Sequence, residues 1–339
     1  MKKVIALSLI MALFCIAAVF ATGSQDTATG GVHAMIAKST GNPYFDRMLS
    51  GFQEAVKELG GSAITRAPDL PTPEGQIQII EQLVAQRVAT IGIAANDFDA
   101  LQPALTRAMN AGIKVYSLDS NVNPRSRNTS INQADTQAIG RTLVEAAYDL
   151  AGGSGEIAIL SATTQASNQN AWIAVMNEVL KESKYASLRL VATVYGDDLR
   201  DKSTTETQAL ISRFPNLKVI VAPTTVGIAA AARVVTDQRL IGRVLITGLG
   251  LPSEMADYIV SGACPYMYLW NPIDLGYLGG YTAFALAKGT ITGAVGNRLE
   301  GGRLGQYNVT QAGDGGTEIL LGPPFKFDRN NIATWRSVY

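Results

Sequence analysis

Short continuous apolar runs alternate with amphipathic stretches of helical length from Val32 to Thr247, and the alternation restarts once near residue 132. Continuous apolar strands suit a sheet buried on both faces, with helices as the cover and as the crossovers. In the first set, 32–37, 63–66, 90–95 and 113–118 read as strands, with helices over 45–59, 75–86 and 100–111. Met48, Leu49, Phe52, Ala55, Val56 and Leu59 form one helical stripe, ended by Gly60-Gly61. In the second set, strands over 155–160, 188–194, 217–222 and 243–247 alternate with helices over 137–150, 170–180, 204–214 and 226–236. The expected fold is α/β: two doubly wound, Rossmann-like lobes joined by a three-crossing hinge, with a ligand cleft between them. The first lobe is expected over 32–129 and the second over 130–250. Residues 251–292 are expected to return to the first lobe, and the Gly-rich stretch 293–339 to complete the second lobe and hinge.

What precedes this pattern constrains location. Lys2 and Lys3 lead an apolar run that ends in Val19-Phe20-Ala21. That is the form of a secretory signal peptide, 1–21, with cleavage expected after Ala21 and a periplasmic mature protein. An uncleaved anchor helix is the alternative, but Gly23-Ser24-Gln25-Asp26 and the small residues to Gly31 read as a flexible tether over 22–31. Composition then removes function classes. Twenty-eight basic residues balance 28 acidic ones, with no basic block, so no nucleic-acid footprint is expected. The chain has one histidine, His33, and two cysteines, of which only Cys264 lies beyond the leader. Histidine-rich zinc sites, Ser-His-Asp triads and intramolecular disulfides are thereby set aside. No Gly-x-Gly-x-x-Gly follows the first strand, and no cofactor is expected. A glycoside-cleaving enzyme needs two facing carboxylates. Asp97 and Asp119 both end strands of the first lobe, no facing acid is evident from the second, and an enzyme is not expected. A transcriptional regulator of this fold needs an N-terminal DNA-binding helix pair, for which the start at Val32 leaves no room.

Ligands of open α/β sheets sit beyond the C-terminal ends of the strands. The loops there are polar: 38–43, Asn96-Asp97, 119–121, 165–170, 223–225, 248–250 and Trp270-Asn271. From them come the candidate ligand-binding residues Lys38, Asn42, Asp97, Asp119, Asn168, Gln169, Pro223, Thr225, Gly250, Trp270 and Asn271. Lys38 can donate to a ligand oxygen, and Asp119 can accept from two adjacent hydroxyls. The amides of Asn168 and Gln169 both donate and accept, as a sugar hydroxyl does. Trp270 offers a flat apolar face to the C–H side of a ring. Competing structural roles are a helix cap for Asn168, an Asx turn for Asp119 and core packing for Trp270.

On these residues the chain resembles the type I periplasmic sugar-binding proteins of ABC importers, in the branch of the rhamnose-binding and autoinducer-2-binding proteins. The resemblance runs over nearly the whole mature chain. It rests on Lys38 and Gly41, Leu118-Asp119-Ser120-Asn121, Ile131-Asn132-Gln133, Asn168-Gln169-Asn170-Ala171-Trp172, Ala222-Pro223 and Leu269-Trp270. It implies ligand contacts at Lys38, Asp119, Asn168, Gln169, Pro223 and Thr225. Three departures stand out: Asn168, Thr224 and Asn271 each occupy a position where autoinducer-2-binding relatives carry aspartate. The resemblance therefore implies capture of a small neutral sugar, rhamnose or another deoxyhexose, for the membrane permease of an ABC importer. The alternatives are autoinducer-2 as the ligand, and a sensory role with a chemoreceptor or kinase as partner. No interface motif is visible, so a monomer is expected.

Overall fold

The computed structural model describes residues 30–339; the expected signal peptide and nearly all of the tether lie outside the described residues. In chain order the first elements are β1 (Val32–Ile36), α1 (Pro43–Glu58), β2 (Ser62–Arg66), α2 (Pro73–Ala85), β3 (Thr90–Ile93), α3 (Gln102–Asn110), β4 (Lys114–Leu118) and β5 (Thr129–Asn132). Then follow α4 (Thr136–Leu150), β6 (Gly155–Ser161), α5 (Ser167–Val179), β7 (Leu188–Tyr195), α6 (Arg200–Arg213), β8 (Leu217–Ala222), α7 (Thr225–Asp237), β9 (Leu245–Gly248), α8 (Pro252–Ser261), β10 (Tyr266–Leu269) and α9 (Pro272–Lys288). The tail carries β11 (Arg298–Glu300), β12 (Gln306–Asn308), β13 (Thr310–Gln311), β14 (Thr317–Leu320), β15 (Phe325–Asp328) and α10 (Ile332–Trp335).

The first sheet runs β13-β14-β5-β4-β3-β1-β2, parallel except for β13 against β14. Helices α1 and α9 cover one face, and α2 and α3 cover the other over an apolar layer including Ile80, Ile91, Ile93 and Leu105. The second sheet runs β7-β6-β8-β9 in parallel. It continues through a bridge from Leu249 to Tyr268 on β10, to which β15 pairs antiparallel. Helix α4 packs against β8 and β9, α6 against β6 and β7, and α7 against β6, β8 and β9. The sequence dictates this double cover, because β3 and the run Val219–Ala222 in β8 are buried throughout and offer no polar edge to water.

Three short segments cross between the lobes: 133–135, 270–271 and 321–324, each lying between a strand of one sheet and an element of the other. These crossings divide the tail differently from the expectation. Residues 251–292 do not return as one block: α8 packs on α7, and β10 joins β9, so only α9 lies on the first sheet. Residues 293–339 split as well. Strand β14 extends the first sheet beside β5, Ser130 facing Glu318, while β15 and α10 join the second lobe. The cause is brevity. A strand of four residues next to a two-residue crossing shows too little periodicity to mark a boundary.

The pair α1 and α9 is packed backbone to backbone. A Cβ on Gly276 would lie 1.7 Å from the Met48 carbonyl oxygen, and one on Gly51 would lie 1.9 Å from that of Ile273. Glycine is needed at both places for close approach. The contact matters for the site, because α1 begins at the cleft and α9 begins at a crossing.

Candidate functional site

Both sheets point the C-terminal ends of their strands at the gap between the lobes, and eight of the eleven candidate residues converge there. A narrow cavity between the lobes is lined by Lys38, Asn42, Tyr44, Phe45, Asp119, Asn168, Gln169, Trp172, Asp198, Pro223, Thr224, Thr225, Leu249, Leu269 and Trp270. A wider opening flanks it beyond Asp119 and Asn168, with Asn121, Gln133, Asp135 and Glu318 on its walls.

Lys38 follows β1 after a single residue, Ala37, and is 4% exposed. Its carbonyl oxygen accepts from Asn96 Nδ2 at 2.8 Å, which fixes the base of the side chain. Its Nζ donates to Asn168 Oδ1 at 3.1 Å and stands 3.9 Å from Asp119 Oδ2. Asp119 ends β4 in left-handed backbone, φ 64°, a conformation that Asp tolerates better than most residues. Its Oδ1 accepts from the Tyr44 hydroxyl at 2.8 Å, and that hydroxyl accepts from Trp270 Nε1 at 2.7 Å. Its Oδ2 accepts from Asn168 Nδ2 at 3.3 Å. Burial pushes the Asp119 carboxyl above its ordinary value, outweighing the pull of Lys38 and of the Tyr44 hydroxyl. The Asp119 carboxylate thus carries a desolvation cost that Lys38, 3.9 Å away, offsets only in part. Groups in that condition suit a ligand that completes their bonding.

From the second lobe, α5 begins at Ser167, earlier than the sequence indicates, so Asn168 and Gln169 sit in its first turn and Asn168 is not the cap. Gln169 is buried and its Oε1 has no hydrogen-bond partner among the described residues. An unpaired buried acceptor costs about 1–3 kcal/mol. A donor from a bound molecule would remove that cost. Asn42 caps α1, its Oδ1 accepting from Tyr44 N at 3.0 Å and, across the cleft, from the Thr225 hydroxyl at 3.3 Å. Trp172 and Trp270 bring their rings to 6.0 Å, and Tyr44 meets Trp270 edge-on at 6.3 Å. The lining therefore combines aromatic rings with charges and amides. That pairing matches a sugar ring, with C–H faces and a polar rim.

Three expected residues do not reach the cavity. Asp97 turns away to accept from the N–H groups of Asp99 and Ala100, both at 2.8 Å, as an Asx turn. Asn271 caps α9, accepting from Ile273 N at 3.0 Å, and its Nδ2 donates to Asp274. Gly250 lies against Met267 and Met255, where a Cβ would clash at 2.6 Å with the Met267 sulfur. Each sits at a strand end, but its side chain or backbone is used by the next element. The sequence reading missed Tyr44, Phe45, Asp198, Leu249 and Leu269, and took Thr224 and Trp172 only as neighbours. Tyr44 and Phe45 follow a cap and a Pro at the start of α1, so the first helical turn aims them into the cleft. Asp198 lies in Gly196-Asp197-Asp198 after β7, a strand end to which the same placement rule applies.

A family model described as a periplasmic binding protein domain matches residues 33–291. The chain is similar to an ABC transporter solute-binding protein from Clostridium phytofermentas, solved with bound L-rhamnose. The two are 50% identical over 92% of this chain and 100% of that one, with a TM-score of 0.90. It is also similar to the D-allose-binding periplasmic protein of Escherichia coli strain K12, 25% identical over 73% of this chain and 81% of that protein. LsrB from Clostridium saccharobutylicum, solved in complex with AI-2, superposes with a TM-score of 0.85 over 90% of this chain and 99% of that one. At 22% identity it shares the fold alone. No helix among the described residues is long and apolar enough to cross a membrane.

Proposed function

The chain belongs to the periplasmic binding protein family, with the solute-binding proteins of ABC transporters, and from that premise we propose that it captures a small neutral sugar, L-rhamnose or a similar deoxyhexose, and delivers it to the permease of an ABC importer. The observation that carries the reading is the cleft itself. Lys38, Asp119 and Tyr44 from one lobe meet Asn168, Gln169 and Thr225 from the other, beside the wall of Trp172 and Trp270. Identity of 50% to a protein that holds L-rhamnose supports the choice of ring.

The sugar enters the open cleft and takes over hydrogen bonds that the cleft residues otherwise make with one another. Asp119 accepts from adjacent hydroxyls, Lys38 and Asn168 donate, and Gln169 Oε1 gains a donor. Trp270 and Trp172 cover the apolar face of the ring, where a deoxy carbon is favoured over a hydroxyl-bearing one. Because the contacts come from both lobes, binding closes the hinge, and the closed form is the one a permease distinguishes. Isothermal titration of ligand-stripped protein tests this, first with L-rhamnose, then with ribose, xylose, fucose, galactose and autoinducer-2. Micromolar or tighter binding of L-rhamnose is the expected result. Tight binding of autoinducer-2 with silence from every sugar would replace it by the signalling alternative.

A further inference from the structure

The turn between β7 and α6 carries two consecutive aspartates in left-handed backbone, Asp197 at φ 54° and Asp198 at φ 53°. Non-glycine residues are uncommon there, and two in succession are held only when the surroundings fix them. Here the surroundings do: Gly196 N donates to Ser161 O and Asp197 N to Ala162 O, both at 2.9 Å. Lys202 pairs with the Asp197 carboxylate. The effect is to swing Asp198 into the cavity wall on the second-lobe side. The Thr224 hydroxyl donates to its Oδ1, and among the described residues this is the one hydrogen bond its carboxylate makes. Asp198 is close enough to Asp119 to raise that carboxyl further, and Lys38 is the ammonium acting on both. Burial raises Asp198 too, against the pull of Lys38 and Thr224. A role confined to stability does not account for a strained carboxylate with a like charge nearby and half its acceptor capacity free.

We propose that Asp198 is a ligand-holding and specificity-setting residue, the second lobe's counterpart of Asp119, accepting from hydroxyls of a neutral polyol and excluding acid sugars. The inference rests on the sugar-capture reading. It also explains how the amide at Asn168 is tolerated: the carboxylate expected there from the resemblance is supplied by the neighbouring loop. Two carboxylates share one lysine, so an anionic ligand would bring a third negative charge to a cavity whose described lining holds no second cation.

The test is titration of wild type, Asp198→Asn, Thr224→Val and Thr224→Ser with L-rhamnose and with D-galacturonate, alongside melting of each ligand-free protein. Asparagine keeps the left-handed turn, so fold is preserved. Asp198→Asn is expected to weaken L-rhamnose tenfold or more, to narrow the neutral-to-acid preference, and to leave the ligand-free melting temperature unchanged or raised. The Thr224 hydroxyl also caps α7 by accepting from Gly227 N, so Thr224→Val is expected to melt lower. It should also bind more weakly with a narrower neutral-to-acid preference, restored in Thr224→Ser, and that change of preference tests the same carboxylate if Asp198→Asn does not fold. The exposed Asp201→Asn serves as control. Wild-type affinity and preference in Asp198→Asn would overturn the inference and leave sugar capture standing. So would weakened binding with a lowered ligand-free melting temperature in that variant, the mark of a structural role. A wild type that binds no sugar at all would end both.

Discussion

Asp119 concentrates the competing forces of the site in one side chain. It is 5% exposed, accepts from Tyr44 and Asn168, and is still held above its ordinary value by burial. An acid whose folded pKa is raised binds its proton more tightly folded than unfolded. Its contribution to ligand-free stability therefore grows as pH falls through the raised value and is lost as pH rises. Affinity runs the other way, because the carboxylate is a stronger acceptor for hydroxyls than the protonated acid. Asp119→Asn is thus expected to leave ligand-free stability near neutral pH unchanged or higher. A lost charged hydrogen bond of about 1.5–3 kcal/mol would weaken sugar binding roughly tenfold to a hundredfold. Titration calorimetry with melting of the ligand-free protein checks both halves, and a parallel fall in stability would show Asp119 to be structural instead. His33 supplies the opposite pH dependence. Its Nδ1 meets the Thr90 hydroxyl at 2.9 Å, its Nε2 meets the Gly30 carbonyl at 2.8 Å, and Phe284 stacks on it. Burial lowers its pKa from 6.5, so stability is full above pH 6.5 and falls below it, as the unfolded chain takes up the proton first. In His33→Gln that part of the acid-side slope of the melting temperature is expected to disappear.

At the scale of elements, the strands were readable because β3 and most of β8 are buried without a break, a pattern the chain can satisfy in few ways. Helix starts were less readable. Ser167, Asn168 and Gln169 have no apolar stripe, yet α5 begins among them, and Asn168 in its first turn is bonded across the cleft to Lys38. The same holds for the site. Lys38, Asp119 and Trp270 could be placed by strand-end position, whereas Asp97 and Asn271 share that position and are taken up by a turn and a cap. No local pattern separates those outcomes. The α1–α9 pair poses a sharper requirement, because Gly276 and Gly51 leave no space for a methyl group against backbone carbonyls. Gly276→Ala must push the helices apart and is expected to cost about 1–3 kcal/mol or more. Since α1 carries Tyr44 and α9 follows Trp270, sugar affinity should fall as well. Chemical denaturation paired with titration measures the two losses, and an unaffected midpoint would contradict the close packing.

For the whole molecule, the proposed capture depends on the balance between open and closed lobes, and the contacts that would set it are identifiable. Lys38 to Asn168, Asn168 to Asp119 and Thr225 to Asn42 all link the lobes, through first-lobe residues 38, 42 and 119 and second-lobe residues 168 and 225. They are few, partly long, and offset by the burial of Lys38 and Asp119, so closure without ligand gains little. A sugar bonded to both lobes adds affinity that exists only in the closed form, and it shifts the population by that difference. Two of the three tryptophans, Trp172 and Trp270, line the cavity, while Trp335 packs with Phe325, Phe327 and Tyr339 in the tail of the second lobe. Adding L-rhamnose should therefore both contract the particle in small-angle scattering and change the tryptophan emission. Trp335→Phe should keep the emission change, and Trp270→Phe should lose much of it. Asn168→Ala removes the second lobe's link to both Lys38 and Asp119, so at saturating sugar its contraction should be smaller than that of wild type. Full contraction in Asn168→Ala would mean that closure is set by the three crossings and the aromatic wall, with the polar bridge serving only to choose the sugar.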